Sequence, residues 1–178
     1  MRGGWRTIGA VVLAGSVAGG QVPGKSYPAC KSGQLSLAID DENGNFDGMS
    51  HSGVLLVLRN LGPETCSIPA KPKVEFENEK QKPLGITPQT PAGMHPGPVM
   101  LPVAIPVGAE VTSELRWVSG DVYDGHNCIS PSFLAVTVGI DVLRVKVLER
   151  TLCGPAGRPP NFTMTPLKRD PRLAMLRQ

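Results

Sequence analysis

The chain has 178 residues, of which 18 are basic and 15 acidic, so its formal net charge at neutral pH is +3. This balance leaves no electrostatic footprint of the kind that binds nucleic acid or an anionic membrane surface. Aromatic residues make up 4% of the chain, which argues against a broad carbohydrate-binding platform built from exposed rings.

Residues 1–20 have the three parts of a secretory signal peptide. Arg2 and Arg6 precede the apolar run Ile8–Leu13, and the small residues Ala18–Gly20 follow it. The apolar run is shorter than the roughly 20 residues that a transmembrane helix needs. We therefore expect a periplasmic or secreted protein without a membrane span.

The rest of the chain has the length of one folded domain. Its ends are polar, and they bracket a region rich in apolar runs. We expect a flexible N-terminal segment over residues 21–29, a β-sandwich domain over residues 30–167 and a basic, solvated C-terminal tail over residues 168–178.

Eight short runs in this domain are typical of β-strands. The chain contains 21 glycines and 18 prolines, which interrupt it too often for long helices. Seven or eight such strands separated by turns predict an all-β fold, an immunoglobulin-like antiparallel β-sandwich. The runs are Leu35–Ile39, Val54–Leu58, Val74–Phe76, Val99–Ile105, Val111–Val118, Phe133–Val138, Val142–Leu148 and Phe162–Thr165.

Three segments of the domain carry finer expectations. Val54–Leu58 is apolar throughout, which indicates a central strand covered on both faces. The tripeptide Gly139-Ile-Asp141 predicts a tight hairpin between two of the strongest runs. Thr87–Pro98 contains four prolines and two glycines, so we expect a long loop.

Four cysteines, an even number, predict two disulfides in an oxidising compartment. Their wide spacing contains no Cys-x-x-Cys pair, which argues against zinc and thioredoxin-like sites. Three pairings are open to four cysteines. The strand order favours Cys30–Cys66 and Cys128–Cys153, because each pair then joins the ends of neighbouring strands.

The spacing of these features resembles the secreted bacterial family catalogued as domain of unknown function 4232. The resemblance covers residues 30–166, and the chain departs from the family at Ala70-Lys-Pro72, where Gly-Tyr-Pro is common. It implies an exported immunoglobulin-like sandwich and supplies neither an activity nor catalytic residues. The residues that carry it are Cys30, Asn60-Leu-Gly62, Cys66, Pro72, Val74-Glu-Phe76, Val107-Gly-Ala-Glu110, Trp117, Cys128-Ile-Ser-Pro131 and Leu152-Cys-Gly154.

The three histidines lie in predicted loops, and two of them have a methionine close by. Thioether and imidazole ligands together suit copper, especially Cu(I). One hypothesis is therefore a copper site formed by His51, His95, His126, Met49 and Met94. The alternative is that these are ordinary surface side chains, since the sequence has no His-x-His or His-x-x-x-His pair.

A second cation hypothesis concerns the acidic run before the second strand. Asp41, Asn43, Asn45 and Asp47 have the alternating spacing of a calcium loop, but Phe46 occupies the position that such a loop needs for glycine. A turn at Asn43-Gly44 with solvated carboxylates is the simpler interpretation.

The sequence favours no enzyme. Neither a Gly-x-Ser-x-Gly elbow nor a His-Glu-x-x-His motif is present, and oxidised cysteines are not nucleophiles. We expect an exported cell-envelope protein that binds or supports an envelope or extracellular protein without catalysis and without a cofactor. The alternative is a periplasmic copper-binding protein that uses the Met/His loops.

Overall fold

The computed structural model describes residues 26–89 and 99–169. The predicted signal peptide, Met94, His95 and most of the proline-rich loop and basic tail lie outside the described residues. No helix in the described part of the chain is both long and apolar enough to span a membrane.

The described residues form thirteen strands and two short 3-10 turns, at Ser32–Gln34 and Glu42–Gly44. The all-β prediction is confirmed. The strands are β1 (Leu35–Asp40), β2 (His51–Asn60), β3 (Cys66–Ile68), β4 (Val74–Glu77), β5 (Thr87–Pro88), β6 (Val103–Ile105), β7 (Glu110–Val118), β8 (His126–Ile129), β9 (Phe133–Val138), β10 (Asp141–Lys146), β11 (Leu152–Pro155), β12 (Asn161–Met164) and β13 (Lys168–Arg169).

Two sheets make the sandwich. The larger has the order β1-β2-β7-β12-β5, with β13 also paired to β7, and the smaller has the order β10-β9-β4. Two further ladders, β11-β8 and β3-β6, lie outside these sheets. All pairs are antiparallel except β12 with β5, and β5 and β4 are each the edge strand of their sheet.

The core lies between the two sheets. Phe76 from the smaller sheet meets Trp117 and Phe162 from the larger sheet edge to face, with ring centroids 5.8 and 5.2 Å apart. Leu56 and Leu58 of β2 are fully buried beside them, and Val54 and Leu55 are nearly so, as the apolar run predicted. Burial of this apolar surface is the main force that holds the sheets together.

The predicted hairpin and both predicted disulfides are confirmed. Val138 pairs with Asp141, and Gly139 in the turn has a φ of 62°, a conformation that glycine adopts without steric cost. Cys30–Cys66 joins the segment before β1 to β3. Cys128–Cys153 joins directly opposed residues of β8 and β11.

Five strands were not predicted, and three predicted runs had wrong bounds, since β10 ends at Lys146 and not Leu148, β12 ends at Met164 and not Thr165, and Val99–Ile105 begins too early. β3, β5, β8, β11 and β13 have two to four residues each, too few for a periodic signal. Val99–Ile105 is a strand only from Val103 onward, and Val99 and Leu101 before it are 94% and 81% exposed.

Candidate functional site

The structure places two of the predicted copper ligands at one end of the sandwich. His51 opens β2 opposite Val118, the last residue of β7, and its Nδ1 lies 3.2 Å from the Ser50 hydroxyl oxygen. Three residues beyond Val118, Asp121 contacts His126 Nδ1 with an oxygen 2.6 Å away. Met49, beside His51, is fully exposed.

These side chains do not form a recognisable metal cluster. Among the described residues no group of three or more His, Cys, Asp or Glu side chains is placed to hold an ion. Since Met94 and His95 lie outside the described residues, the five-residue copper site stays a prediction.

The acidic run is organised by a cation that the protein itself supplies. Asp41 accepts a hydrogen bond from the backbone N–H of Asn43, which forms the predicted turn. Arg150 lies 3.1 Å from Asp47 and 3.6 Å from Asp41. The pKa of Asp47 is below its ordinary value, because the Ser52 hydroxyl donates to the carboxylate and Arg150 attracts it. The Arg150 guanidinium therefore lies beside Asp41 and Asp47, two of the side chains that the calcium hypothesis assigned to a metal ion.

A groove lies between the edge strands β4 and β5. Its volume is about 540 Å³, within the roughly 300–1,000 Å³ of ligand pockets. Buried Phe76, Ile86 and Phe162 lie along its inner side, and the rim carries Lys71 and Lys73. An apolar interior with a few polar groups at the mouth is the usual composition of a binding site.

The groove exists because the chain changes sheets. Just after β4, Pro83 forms a bridge with Glu77, and the Leu84 N–H donates to the Phe76 carbonyl at 2.9 Å. Gly85, with a φ of 71°, then turns the chain away, and Thr87 pairs with β12 of the larger sheet. Beyond this crossing the two edges diverge, and the groove lies between them.

The edge of β4 is open along the groove. The Thr137 N–H donates to the Lys73 carbonyl, so Lys73 is a hydrogen-bonded position of the ladder with β9. Because such positions alternate in antiparallel pairs, the N–H and C=O of Val74 point away from β9. Within residues 26–89 and 99–169 no backbone hydrogen bond covers Val74 on that side.

The rim has one uncompensated positive charge. Lys73 pairs with Glu75 at 2.9 Å, whereas Lys71 is exposed and makes no ion pair in the described segments. Sequence reasoning missed this site, because residues 71–76 and 83–89 carry no catalytic or metal-ligand pattern. The signal that was available is the density of prolines at both edges, with Pro72, Pro83 and Pro88.

A sequence model of the family described as domain of unknown function (DUF4232) matches residues 30–168. The chain belongs to the DUF4232 family. No curated protein and no solved structure matches it. The family assignment confirms the resemblance that the cysteines and turns suggested.

The Asn60-Leu-Gly62 motif of this DUF4232 domain is structural. Asn60 is fully buried, and its Nδ2 donates to the carbonyls of Glu64 and Ile105 at 2.7 and 2.9 Å. Its Oδ1 accepts from the Gly62 N–H at 2.9 Å. A Cβ on Gly62 would come within 2.8 Å of the Gln34 Cβ. The motif therefore fixes the turn after β2 against the β6 segment and does not form a ligand site.

Proposed function

We propose that this DUF4232 protein is an exported, non-catalytic binding module of the cell envelope, and that its ligand occupies the groove between β4 and β5. The observation that supports the proposal is the groove, which combines an apolar interior, an unpaired strand edge and a charged rim. Export is supported by the signal-like residues 1–20 and by two disulfides, which persist in oxidising compartments.

The non-catalytic part of the proposal rests on the groups near the groove. A nucleophile needs a base within hydrogen-bonding reach, and the base needs an orienting group. The His126–Asp121 pair has that form, but both side chains are about half exposed and lie on other elements than those that form the groove.

Methyl NMR of the oxidised protein tests the binding proposal. The probes are a pool of random heptapeptides, a panel of fatty acids and a panel of small apolar compounds. We expect the Val74 and Ile86 methyl resonances to shift with one of the three, and the substitution Met164→Ala to weaken that binding. Met49→Ala is the matched control, because Met49 is exposed and does not line the groove. Shifts confined to other parts of the domain would contradict the proposal.

A second candidate, copper binding, is favoured by one observation. His51 pairs with the last residue of β7, Asp121 three residues beyond that strand contacts His126, and the exposed Met49 lies two residues before His51 in the chain. A site completed by Met94 and His95 would hold Cu(I) through soft ligands. Its test is a metal-dependent rise in stability that depends on His51.

A further inference from the structure

We propose that the groove takes an extended peptide, which adds a strand to the open edge of β4 and places an acidic side chain beside Lys71. The inference rests on the proposed function and names the class of ligand for the same groove. Addition of a strand to an exposed sheet edge is a general mode of peptide recognition, in which the backbone supplies affinity and alternate side chains supply specificity.

The backbone groups at the edge of β4 favour a peptide over an apolar ligand. Val74 is only 4% exposed, yet its N–H and C=O have no backbone partner on the groove side in the described ranges. Leaving buried backbone groups without partners is costly. An acyl chain or another apolar ligand would cover them without bonding to them, whereas an extended peptide offers both a donor and an acceptor.

The peptide would continue a pairing that already exists beside β4. Leu84 bonds to the Phe76 carbonyl as a neighbouring strand would, and the chain then leaves at Gly85. The edge left free is short, because β4 begins at Val74, Pro72 has no N–H, and the Phe76 carbonyl already accepts from Leu84. A short extended segment of a peptide would pair with the N–H and C=O of Val74 and lie over the groove that Phe162 and Ile86 line.

The space beside β4 limits what can pair with its edge. A second copy of this chain, paired through its own β4 about Val74, would bring its residues 71 and 72 opposite residues 77 and 76. That position is occupied by Pro83 and Leu84 of the first copy. A second copy in this arrangement is therefore obstructed by Pro83 and Leu84, whereas a separate short peptide is not.

The charge at the rim of the groove favours an acidic peptide. Lys71 is exposed at the rim and has no acidic partner in the described segments, while Lys73 is neutralised by Glu75. A peptide with Asp or Glu at the position facing Lys71 complements this charge. Charge at a rim acts mainly on the association rate and on its salt dependence.

The experiment is a selection from a display library of random heptapeptides on the full oxidised protein, followed by titration of the selected synthetic peptides. We expect selected sequences to alternate apolar and polar residues and to contain Asp or Glu. N-methylation of the central peptide amide should weaken binding about tenfold through loss of one hydrogen bond. Lys71→Glu should also weaken it, and Lys80→Glu, an exposed control outside the groove, should not.

A further variant tests the edge itself. Val74→Pro removes the outward N–H, and proline is tolerated on edge strands. We expect it to abolish peptide binding, and Lys71→Glu provides the test if that variant does not fold. The inference would be overturned if N-methylation of the peptide and the Lys71→Glu substitution in the protein both left binding unchanged. If groove methyl resonances respond only to fatty acids or small apolar compounds, the binding proposal stands and the peptide inference fails; if no probe reaches the groove, both fail.

Discussion

Replacement of Asn60 by leucine should strongly destabilise the domain, because it removes the hydrogen bonds that fix the turn after β2. The side chain is fully buried and makes three hydrogen bonds, to the Glu64 and Ile105 carbonyls and from the Gly62 N–H. Leucine has nearly the same shape but satisfies none of them. A buried group left unpaired costs about 1–3 kcal/mol. Three such groups, of which one is partly exposed, give an expected loss of about 3–5 kcal/mol, since part of the cost is relieved by relaxation.

The assay is reversible denaturation by guanidinium of the oxidised wild type, Asn60→Leu and the control Asn45→Leu. Asn45 is exposed, and we expect its replacement to change the free energy of unfolding by less than about 0.5 kcal/mol. A loss below about 1 kcal/mol for Asn60→Leu, with an unchanged dependence on denaturant, would refute the reasoning, because the three bonds would then contribute little net stability.

Three further outcomes are expected. The pKa of Asp47 is depressed in the folded state, so its contribution to stability is present above the unfolded pKa, near 3.8, and is lost as the pH falls through the folded value. Asp47→Asn should therefore lower the melting temperature at pH 7, and this deficit should shrink as the pH falls below 3.8; a deficit that does not change with pH would show that the charge of the Asp47 carboxylate does not contribute. Replacement of Cys128 and Cys153 by alanine should cost about 3.5 kcal/mol for a loop of 25 residues, measured by denaturation, and a cost near zero would contradict the chain-entropy argument. On the copper alternative, Cu(I) at 100 times its dissociation constant should add about 2.7 kcal/mol in wild type and nothing in His51→Ala, and a melt unchanged by copper in both would exclude it.

The sequence predicted the strands that carry a strong local signal. Val54–Leu58, Phe133–Val138 and the turn at Gly139 combine apolar or alternating side chains with turn residues, and all three lie where the pattern placed them. Both disulfide pairings were predicted correctly from the order of the strands, although Cys66, Cys128 and Cys153 lie in β3, β8 and β11, which were not predicted.

The strands that escaped prediction depend on contacts distant in sequence. β8 and β11 are four residues each and pair across the Cys128–Cys153 disulfide. β5 is two residues long and forms only because the chain turns at Gly85 toward β12. Such strands have no hydrophobic period of their own, and tertiary context decides them.

The groove was beyond prediction for the same reason. It is defined by the divergence of two sheet edges after the crossing at Gly85, and neither edge contains a residue pattern that names a ligand. The copper hypothesis, by contrast, came from residue types alone. The structure brings His51 and His126 to one end of the sandwich, while Met94 and His95 lie outside the described residues.

Amide hydrogen exchange at Val74 tests the central claim most directly. In the free protein the Val74 N–H points into the groove, while the Glu75 N–H faces β9, so Val74 should exchange much faster than Glu75. Binding of a selected heptapeptide should slow exchange at Val74 and leave Glu75 unchanged. A Val74 amide that is already as slow as Glu75 in the free protein, or that is unaffected by the bound peptide, would contradict the account.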